Sequence, residues 1–443
     1  MLIDLDEDRC VTPGRYPRRT IAPLVAVLVA LLAPALCGGG AVAARPALVP
    51  LASVPARGAT AIGVTPRDLY VARDDPPTVS GYALPGGRRR WRVRMSMPVT
   101  VLRVLAGARV LLASEDAGGT GRLVALDSST GAVLWSRPGA SIVDIPAGGR
   151  ALLRWPAGAG TDELGWVLVR TGRPVWSRPV PRQADVGVSH APDRSGGLLV
   201  TDADGAADLL AEDTGAVLAS GQLGSLVGDV VLTPGPAGGT PAPSAGRLPV
   251  QVLGGQFLVA HRRNAGTGWL TGFDMNTLAR RWTITGDLLG ESFPCGQLLC
   301  LGSAQGIRAV DGTTGAVRWS TDRWQYAGPL DGRRLLAYGA AQTAVLDAYT
   351  GRLLWLVDPQ WTQLVLADAG PGDPARPALL RRPDARRPDR YWLAPLAAAA
   401  HPVGYVTGVD WRSCAISGDL LACRTRAGRV AVWRYPVPRF HRV

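Results

Sequence analysis

A hairpin-like unit recurs along this chain, and its repetition constrains the fold more than any other feature. The clearest copy, VALDSSTGAVLW, runs from Val124 to Trp135. Each copy has a short alternating run, a polar corner that often contains Asp and Thr-Gly, and a second short run that carries an aromatic residue. This pattern is typical of a β-hairpin. The seven copies end at Trp91, Trp135, Trp176, Ala219, Trp282, Trp319 and Trp355.

The residues at the corner of each copy have a structural explanation. A carboxylate there can accept the backbone N–H groups of the turn, and a glycine supplies a positive φ. The acids are Asp127, Asp274, Asp311 and Asp347, and the glycines are Gly87, Gly131, Gly172, Gly215, Gly315 and Gly351. Each tryptophan lies four residues after its corner position. We therefore expect the indoles to lie at one height on their strands and to pack against the neighbouring copy.

The spacing of the copies predicts the architecture. Successive corner positions are 44, 41, 43, 63, 37 and 36 residues apart. A period near forty residues with about four short strands corresponds to one propeller blade. We therefore predict an all-β fold, a single β-propeller of about eight four-stranded blades, or of seven if segment 363–406 is not a blade. The last piece, Trp411 to Tyr435, has three predicted strands, so we expect an N-terminal strand to complete it.

The repeat resembles that of the pyrroloquinoline-quinone (PQQ) class of β-propellers, whose blades carry the signature A-x-D-x-x-T-G-x-x-x-W. Arg308 to Trp319 matches the signature closely, and the resemblance extends from about Gly58 to Tyr435. That class includes quinoprotein dehydrogenases, a lipoprotein scaffold of outer-membrane assembly, and propellers that bind no quinone. The resemblance therefore implies a fold without specifying a function.

The N-terminal region predicts a membrane anchor. Ile21 to Ala44 contains no charged residue and is long enough to cross a bilayer, and the preceding arginines favour a cytoplasmic N-terminus. We predict a cytoplasmic tail (1–20), a single transmembrane helix (21–44), a linker (45–58), an extracellular propeller (59–436) and a C-terminal tail (437–443). A cleaved signal peptide is the alternative, because Ala41-Val42-Ala43 fits a cleavage site. The stretch from Thr233 to Pro249 is predicted to be a mobile loop.

The charge balance is strongly basic. The chain has 48 Lys and Arg residues against 35 Asp and Glu, and all 48 are arginine, which indicates a GC-rich bacterial genome such as that of an actinobacterium. Local basic runs span Arg88 to Arg94 and Arg376 to Arg390, and we expect the remaining arginines to be spread over the blades. No nucleic-acid motif accompanies them, so we predict no nucleic-acid partner. We expect the basic surface to bind an acidic cell-wall polymer or lipid headgroups. The alternative is that its arginines are only solvated and bind no partner.

Four of the six cysteines form two close pairs. Cys295 and Cys300, like Cys414 and Cys423, flank a turn between adjacent predicted strands. We predict two structural disulfides, which would agree with an extracellular domain, and buried free thiols are the alternative. The four histidines show no ligand spacing near these cysteines, so we predict no metal site.

The sequence assigns no catalytic residue. A resemblance to the quinoprotein dehydrogenases would imply a quinone in the central channel, bound with calcium beneath a disulfide between adjacent cysteines. This chain has no adjacent cysteine pair. Ser189-His190, Glu291-Ser292 and Asp162-Glu163 are isolated candidates. We expect no cofactor, with PQQ as the alternative. We predict a monomeric, non-catalytic scaffold for an envelope protein or a cell-wall glycan, and the alternative is a quinone- or metal-dependent extracytoplasmic enzyme.

Overall fold

The computed structural model describes residues 48–115, 121–146, 149–188, 197–202, 204–223, 250–253, 256–262, 268–286, 292–303, 305–340, 342–363, 379–396 and 401–436. The predicted membrane span, the two tails and the loop from Thr233 to Pro249 lie outside these ranges. Within them, no helix has the length and apolarity that a membrane crossing requires.

The described residues form 36 strands, arranged in nine antiparallel four-stranded sheets. The first strand, β1 (Val49–Pro55), joins the last sheet. Blade 1 consists of β2 (Ala59–Val64), β3 (Asp68–Asp74), β4 (Pro77–Ala83) and β5 (Arg89–Arg94). Blade 2 consists of β6 (Val99–Leu105), β7 (Val110–Glu115), β8 (Arg122–Asp127) and β9 (Val133–Pro138), with a 3₁₀ turn at Ala106–Ala108. Blade 3 consists of β10 (Ser141–Asp144), β11 (Arg150–Gly158), β12 (Thr161–Leu168) and β13 (Pro174–Pro181).

The middle blades repeat this order. Blade 4 consists of β14 (Asp185–Val188), β15 (Gly197–Thr201), β16 (Ala206–Ala211) and β17 (Val217–Gln222). Blade 5 consists of β18 (Val250–Leu253), β19 (Gln256–Arg262), β20 (Gly268–Asp274) and β21 (Arg280–Gly286). Blade 6 consists of β22 (Ser292–Cys295), β23 (Leu298–Ser303), β24 (Gly306–Asp311) and β25 (Val317–Thr321).

The last three blades complete the ring. Blade 7 consists of β26 (Tyr326–Pro329), β27 (Arg334–Tyr338), β28 (Thr343–Asp347) and β29 (Leu353–Val357). Blade 8 consists of β30 (Thr362–Gln363), β31 (Leu379–Asp384), β32 (Arg387–Pro395) and β33 (Gly404–Thr407). Blade 9 consists of β34 (Val409–Ser417), β35 (Leu420–Thr425), β36 (Arg429–Arg434) and β1. The described chain is therefore a nine-bladed β-propeller.

The closure of the ring corrects the blade count. As predicted, the C-terminal piece supplies three strands and the N-terminal segment supplies the fourth, with β1 paired antiparallel to β36 from Val49↔Arg434 to Pro55↔Arg429. The predicted count of eight was wrong, because blade 1 has four strands of its own and segment 363–406 is also a complete sheet. The closing strand comes from within the stretch 45–58 that we predicted to be a linker.

The core lies between neighbouring blades, because each sheet buries both of its faces. On β3 the side chains of Leu69 and Val71 join an apolar cluster with Leu420 of blade 9. Their neighbours Tyr70 and Ala72 join a different cluster, with blade 2. Adjacent residues of a strand point to opposite faces, so one strand contributes to two interfaces. Each fully buried Leu or Val contributes about 1.5–3 kcal/mol.

Candidate functional site

Five of the six predicted docking tryptophans join one blade to the next by the same contacts. Each indole N–H donates to a backbone carbonyl in the corner of the following blade, and each ring covers the corner glycine. The donor and acceptor pairs are Trp91 to Ser128 (3.1 Å), Trp135 to Val169 (2.7 Å), Trp176 to Glu212 (2.7 Å), Trp282 to Gly312 (3.1 Å) and Trp319 to Ala348 (3.1 Å). The covered glycines are Gly131, Gly172, Gly215, Gly315 and Gly351.

These glycines cannot carry a side chain without moving the indole. A Cβ built on Gly351 would lie 2.6 Å from the Trp319 ring, and Gly351 has a φ of +68°. The glycine is therefore required both by its left-handed backbone and by the close approach of the ring.

Trp355 is the exception among the six. It packs in the apolar cluster between blades 7 and 8 with Trp361 and Leu380. Its buried indole nitrogen has no hydrogen-bond partner among the described residues. The sequence between β32 and β33 of blade 8 lacks the Asp-Thr-Gly corner that most of the other junctions share.

The corner aspartates are used by the turns, as predicted. The Oδ1 atom of Asp311 accepts the backbone N–H groups of Thr313 (2.9 Å) and Thr314 (3.1 Å), and the same arrangement occurs at Asp127, Asp274 and Asp347. Two of these aspartates also bind an arginine seven residues later. The Arg281 guanidinium lies 2.7 Å from Asp274 and, with the turn N–H groups, lowers the pKa of that carboxyl to about 2. Arg318 likewise lowers the pKa of Asp311.

Both predicted disulfides are present, each within one blade. Cys295–Cys300 joins β22 to β23, and Cys414–Cys423 joins β34 to β35. All four cysteines are buried. The prediction of two hairpin disulfides is confirmed.

The isolated catalytic candidates do not assemble into a site in the described residues. Asp162 forms a buried ion pair with Arg154 (2.8 Å) and contacts Arg182 (3.2 Å), which ties the loop after β13 to blade 3. Ser189, His190 and Glu291 lie outside the described ranges. Among the described residues, no group of three or more His, Cys, Asp or Glu side chains is placed to hold a metal ion.

The net positive charge is concentrated in one sector of the ring. Residues 48–95 and 379–436, which contain blade 1, blade 9 and strands β31 to β33 of blade 8, include 18 arginines and 7 aspartates. This sector therefore carries a net charge of +11, against +13 for the whole chain. Arginines also occur in blades 2 to 7, where nearby acids balance them, and ring closure brings the first and last basic runs into blades 1 and 8, on either side of blade 9.

A pocket of about 860 Å³ opens in this sector, beside the sheet in which β1 joins β34, β35 and β36. We call it the seam pocket. It is lined by the loop between β1 and β2, by β31 and β32 of blade 8, by the start of β34, and by the turn between β35 and β36. The lining residues that carry charge or an aromatic ring are Arg57, Arg381, Tyr391, Asp410, Trp411, Arg412, Arg424 and Arg426.

Two arginines of the seam pocket are held by protein groups. Arg424 donates to the backbone carbonyl of Ala59 (2.7 Å) and forms an ion pair with Asp410, so it ties blade 9 to blade 1. The Arg381 guanidinium lies 5.2 Å from the Trp411 ring centre and 5.9 Å from that of Tyr391. Such cation–π contacts fix the guanidinium without neutralising its charge.

The other three arginines of the seam pocket are free to bind a ligand. Arg57, Arg412 and Arg426 are exposed, and among the described residues their side chains form no hydrogen bond or ion pair. Asp410 is the one acidic residue of the lining, and Arg424 already occupies it. Guanidinium groups bind carboxylates and phosphates through paired N–H donors. The arrangement can therefore hold an anionic ligand.

Comparison with known proteins gives one family match. The PQQ_2 family model, described as outer membrane protein assembly factor BamB, matches residues 75–240. BamB from Moraxella catarrhalis is 17% identical, with a TM-score of 0.43 over 88% of this chain and 100% of that chain. Sqt1 from Saccharomyces cerevisiae is 12% identical, with a TM-score of 0.45 over 88% of this chain and 100% of that chain.

An enzyme is also among the similar structures. A quinohemoprotein alcohol dehydrogenase from Pseudomonas putida HK5 is 14% identical, with a TM-score of 0.37 over 64% of this chain and 62% of that chain. No curated protein matches the chain. Because these TM-scores are low, the assignment of the fold rests on the strand pairing of this chain and on the repeat.

Proposed function

We propose that this PQQ-like repeat β-propeller is a non-catalytic binding module, held outside the cell membrane by its N-terminal apolar segment, that recruits an acidic component of the cell envelope. The seam pocket carries the proposal. It combines a ligand-sized volume with five arginines and one aspartate, and three of those arginines are available. Pockets of about 300–1,000 Å³ are typical of ligand sites.

The extracellular location is supported by two features. Disulfides such as Cys414–Cys423 form and persist in oxidising compartments. The uncharged run from Ile21 to Ala44 follows a basic segment, as in a helix that leaves its N-terminus in the cytoplasm. The matched family model is described as an assembly factor. From that description we propose for this chain only that it holds other components of the envelope.

The direction of β1 determines which end of the strand borders the seam pocket. The strand begins at Val49, opposite Arg434, and ends at Pro55, opposite Arg429. The seam pocket lies at the second of these edges, because Ala56 and Gly428 line it. A seven-residue strand spans about 20 Å. The seam pocket therefore lies at the end of β1 and not at Val49, where the strand begins.

The test is crosslinking of the full-length protein in intact cells, followed by capture and identification of its companions. We expect one specific envelope component with the wild type and its loss with R57A/R412A/R426A. The matched control is R89A/R92A/R94A, which removes three exposed arginines of the same sector outside the pocket. Equal recovery with both variants, or no specific companion of the wild type, would contradict the proposal.

The alternative, a quinone-dependent enzyme, has a direct test. Full-length protein in a non-ionic detergent is titrated calorimetrically with PQQ in the presence of Ca²⁺. We expect no saturable binding at micromolar quinone. Saturable binding there would replace the scaffold proposal with a quinoprotein one.

A further inference from the structure

We infer that the ligand of the seam pocket is an anionic glycan, a chain of sugars that carries carboxylate or phosphate groups. The inference rests on the proposed binding function and specifies its partner. It is argued from the size of the pocket, the origin of its free arginines, its aromatic pair and the state of the surrounding backbone.

The size and the arginines favour an extended polyanion over a single ion. A volume of about 860 Å³ can hold several sugar rings, whereas one phosphate would leave most of it to water. Arg57 comes from the loop after β1, Arg412 from β34, and Arg426 from the turn after β35. Because these arginines belong to three separate segments, they suit several anionic groups spaced along one ligand.

The aromatic pair favours sugar rings between those anionic groups. Tyr391 and Trp411 meet edge to face, with ring centres 5.1 Å apart and an angle of 84° between the planes. Both side chains are half-buried and line the pocket. An aromatic face carries negative charge and attracts the polarised C–H groups of a sugar ring. The aromatic pair can therefore contact the ring of a charged sugar, and the arginines can bind its anionic group.

The backbone around the pocket argues against an acidic peptide. The N–H of Ala56 donates to the carbonyl of Gly428 (2.8 Å), and the N–H of Arg426 donates to Gly408 (2.7 Å). The N–H of Gly428 donates to Thr425 (3.0 Å). A peptide that adds to a sheet needs unpaired main-chain groups on the receptor. These N–H groups are already used, so recognition at this place falls to side chains.

Calorimetric titration of the full-length protein in a non-ionic detergent tests the inference. The probes are hexagalacturonate, its fully methyl-esterified form, hexaglutamate, and a phosphomannan. We expect hexagalacturonate or phosphomannan to bind, and the preference between them identifies the anion as carboxylate or phosphate. The neutral ester should bind at least about tenfold more weakly, because it loses every pairing with the guanidinium groups.

Variants then place the binding in the pocket. R57A/R412A/R426A should weaken glycan binding by about tenfold or more, as expected from the loss of three exposed ion pairs. R89A/R92A/R94A should change it less than about twofold, since the same net charge is removed elsewhere. Y391F should retain binding, and Y391L should weaken it without a similar effect on hexaglutamate.

Two results would overturn the inference. One is the failure of both anionic glycans to bind, and the other is hexaglutamate binding as tightly as hexagalacturonate. In the second case, capture of an acidic envelope protein through Arg57, Arg412 and Arg426 would leave the proposed function standing and change the partner to a protein. If the glycans fail to bind and the cell crosslinking experiment also recovers no specific companion, both the inference and the proposed binding function are wrong.

Discussion

Leu278 and Ala219 lie in one apolar cluster across the junction of blades 4 and 5, with the large and small residues exchanged relative to the other junctions. Five other blades place a tryptophan over a corner glycine. Here the tryptophan position holds Ala219, and the glycine position holds Leu278. Leu278 keeps the left-handed backbone of the corner, at φ 56°, and lies in the apolar cluster between the two blades. The leucine fills the space that an indole fills elsewhere.

This exchange predicts coupling between the two positions. A219W alone should be destabilising, because the indole would overlap Leu278, and overpacking costs about 1–3 kcal/mol. L278G alone should lose about 2–4 kcal/mol of packing, partly offset by relief of the left-handed strain. A219W/L278G recreates the usual junction, so its loss should be smaller than the sum of the two by at least about 1 kcal/mol. Denaturant unfolding of all four proteins measures the coupling, and additive losses would show that the residues do not compensate each other.

The docking tryptophans predict a separable hydrogen-bond contribution. W319F keeps most of the ring contact and removes the N–H that donates to Ala348, so it should cost about 1 kcal/mol. W319A should cost about 3 kcal/mol, the lower end for loss of such a ring, because Trp319 is only half-buried. V317A, on the same strand and 50% exposed, is the control, with an expected change under about 0.5 kcal/mol. Equal losses for W319F and W319A would assign the whole contribution to the hydrogen bond.

The Arg281–Asp274 pair predicts an acid-dependent loss of stability. The pKa of Asp274 is about 2 in the folded chain against an ordinary 3.8, so its stabilising effect is complete above about pH 4 and is lost as the pH falls through 2. R281A removes the largest cause of this shift. Its melting temperature should lie below that of R280A, which removes an exposed neighbouring arginine, at pH 6.

The difference between R281A and R280A should shrink as the pH falls from about 4 to 2, because Asp274 becomes protonated and is already about half protonated at pH 2 in the protein that keeps Arg281. A difference that persists unchanged at pH 2 would show that Arg281 acts through packing and not through its charge.

Local patterns predicted the repeated parts of the fold, because turn chemistry and strand alternation are encoded within about ten neighbouring residues. Asp311 and Gly315 identify their hairpin without knowledge of any distant residue. Blade 8 has no such corner, and the strand that completes blade 9 lies almost four hundred residues from its partner, as the Val49–Arg434 pairing shows. The count of eight was wrong because the motif marks only seven blades, and blades 8 and 9 have to be counted from strands that do not carry it.

The seam pocket was harder to predict because its lining residues come from distant segments of the chain. Arg57 and Arg424 meet only after closure, and Tyr391 and Trp411 come from different blades. The sequence signal for the pocket was the basic run near Arg381. Its closeness to the basic run at Arg88–Arg94 becomes evident only once the ring is closed. The residues of a site that is assembled from segments more than three hundred positions apart, such as Arg57 and Arg424, have no recognisable spacing in the sequence.

The two disulfides predict different effects on the pocket. Cys414–Cys423 lies in the hairpin that carries Asp410 and Arg424, whereas Cys295–Cys300 lies in blade 6. The chain-entropy model assigns each bond about 2–3 kcal/mol, slightly more to the longer loop of Cys414–Cys423. C414A/C423A should therefore lower the denaturation midpoint and also weaken hexagalacturonate binding, because the arginine and its aspartate partner lose their fixed spacing. C295A/C300A should lower the midpoint by a similar amount and leave binding within about twofold. Equal weakening of binding by both double variants would mean that general destabilisation, and not the geometry of the blade 9 hairpin, controls the pocket.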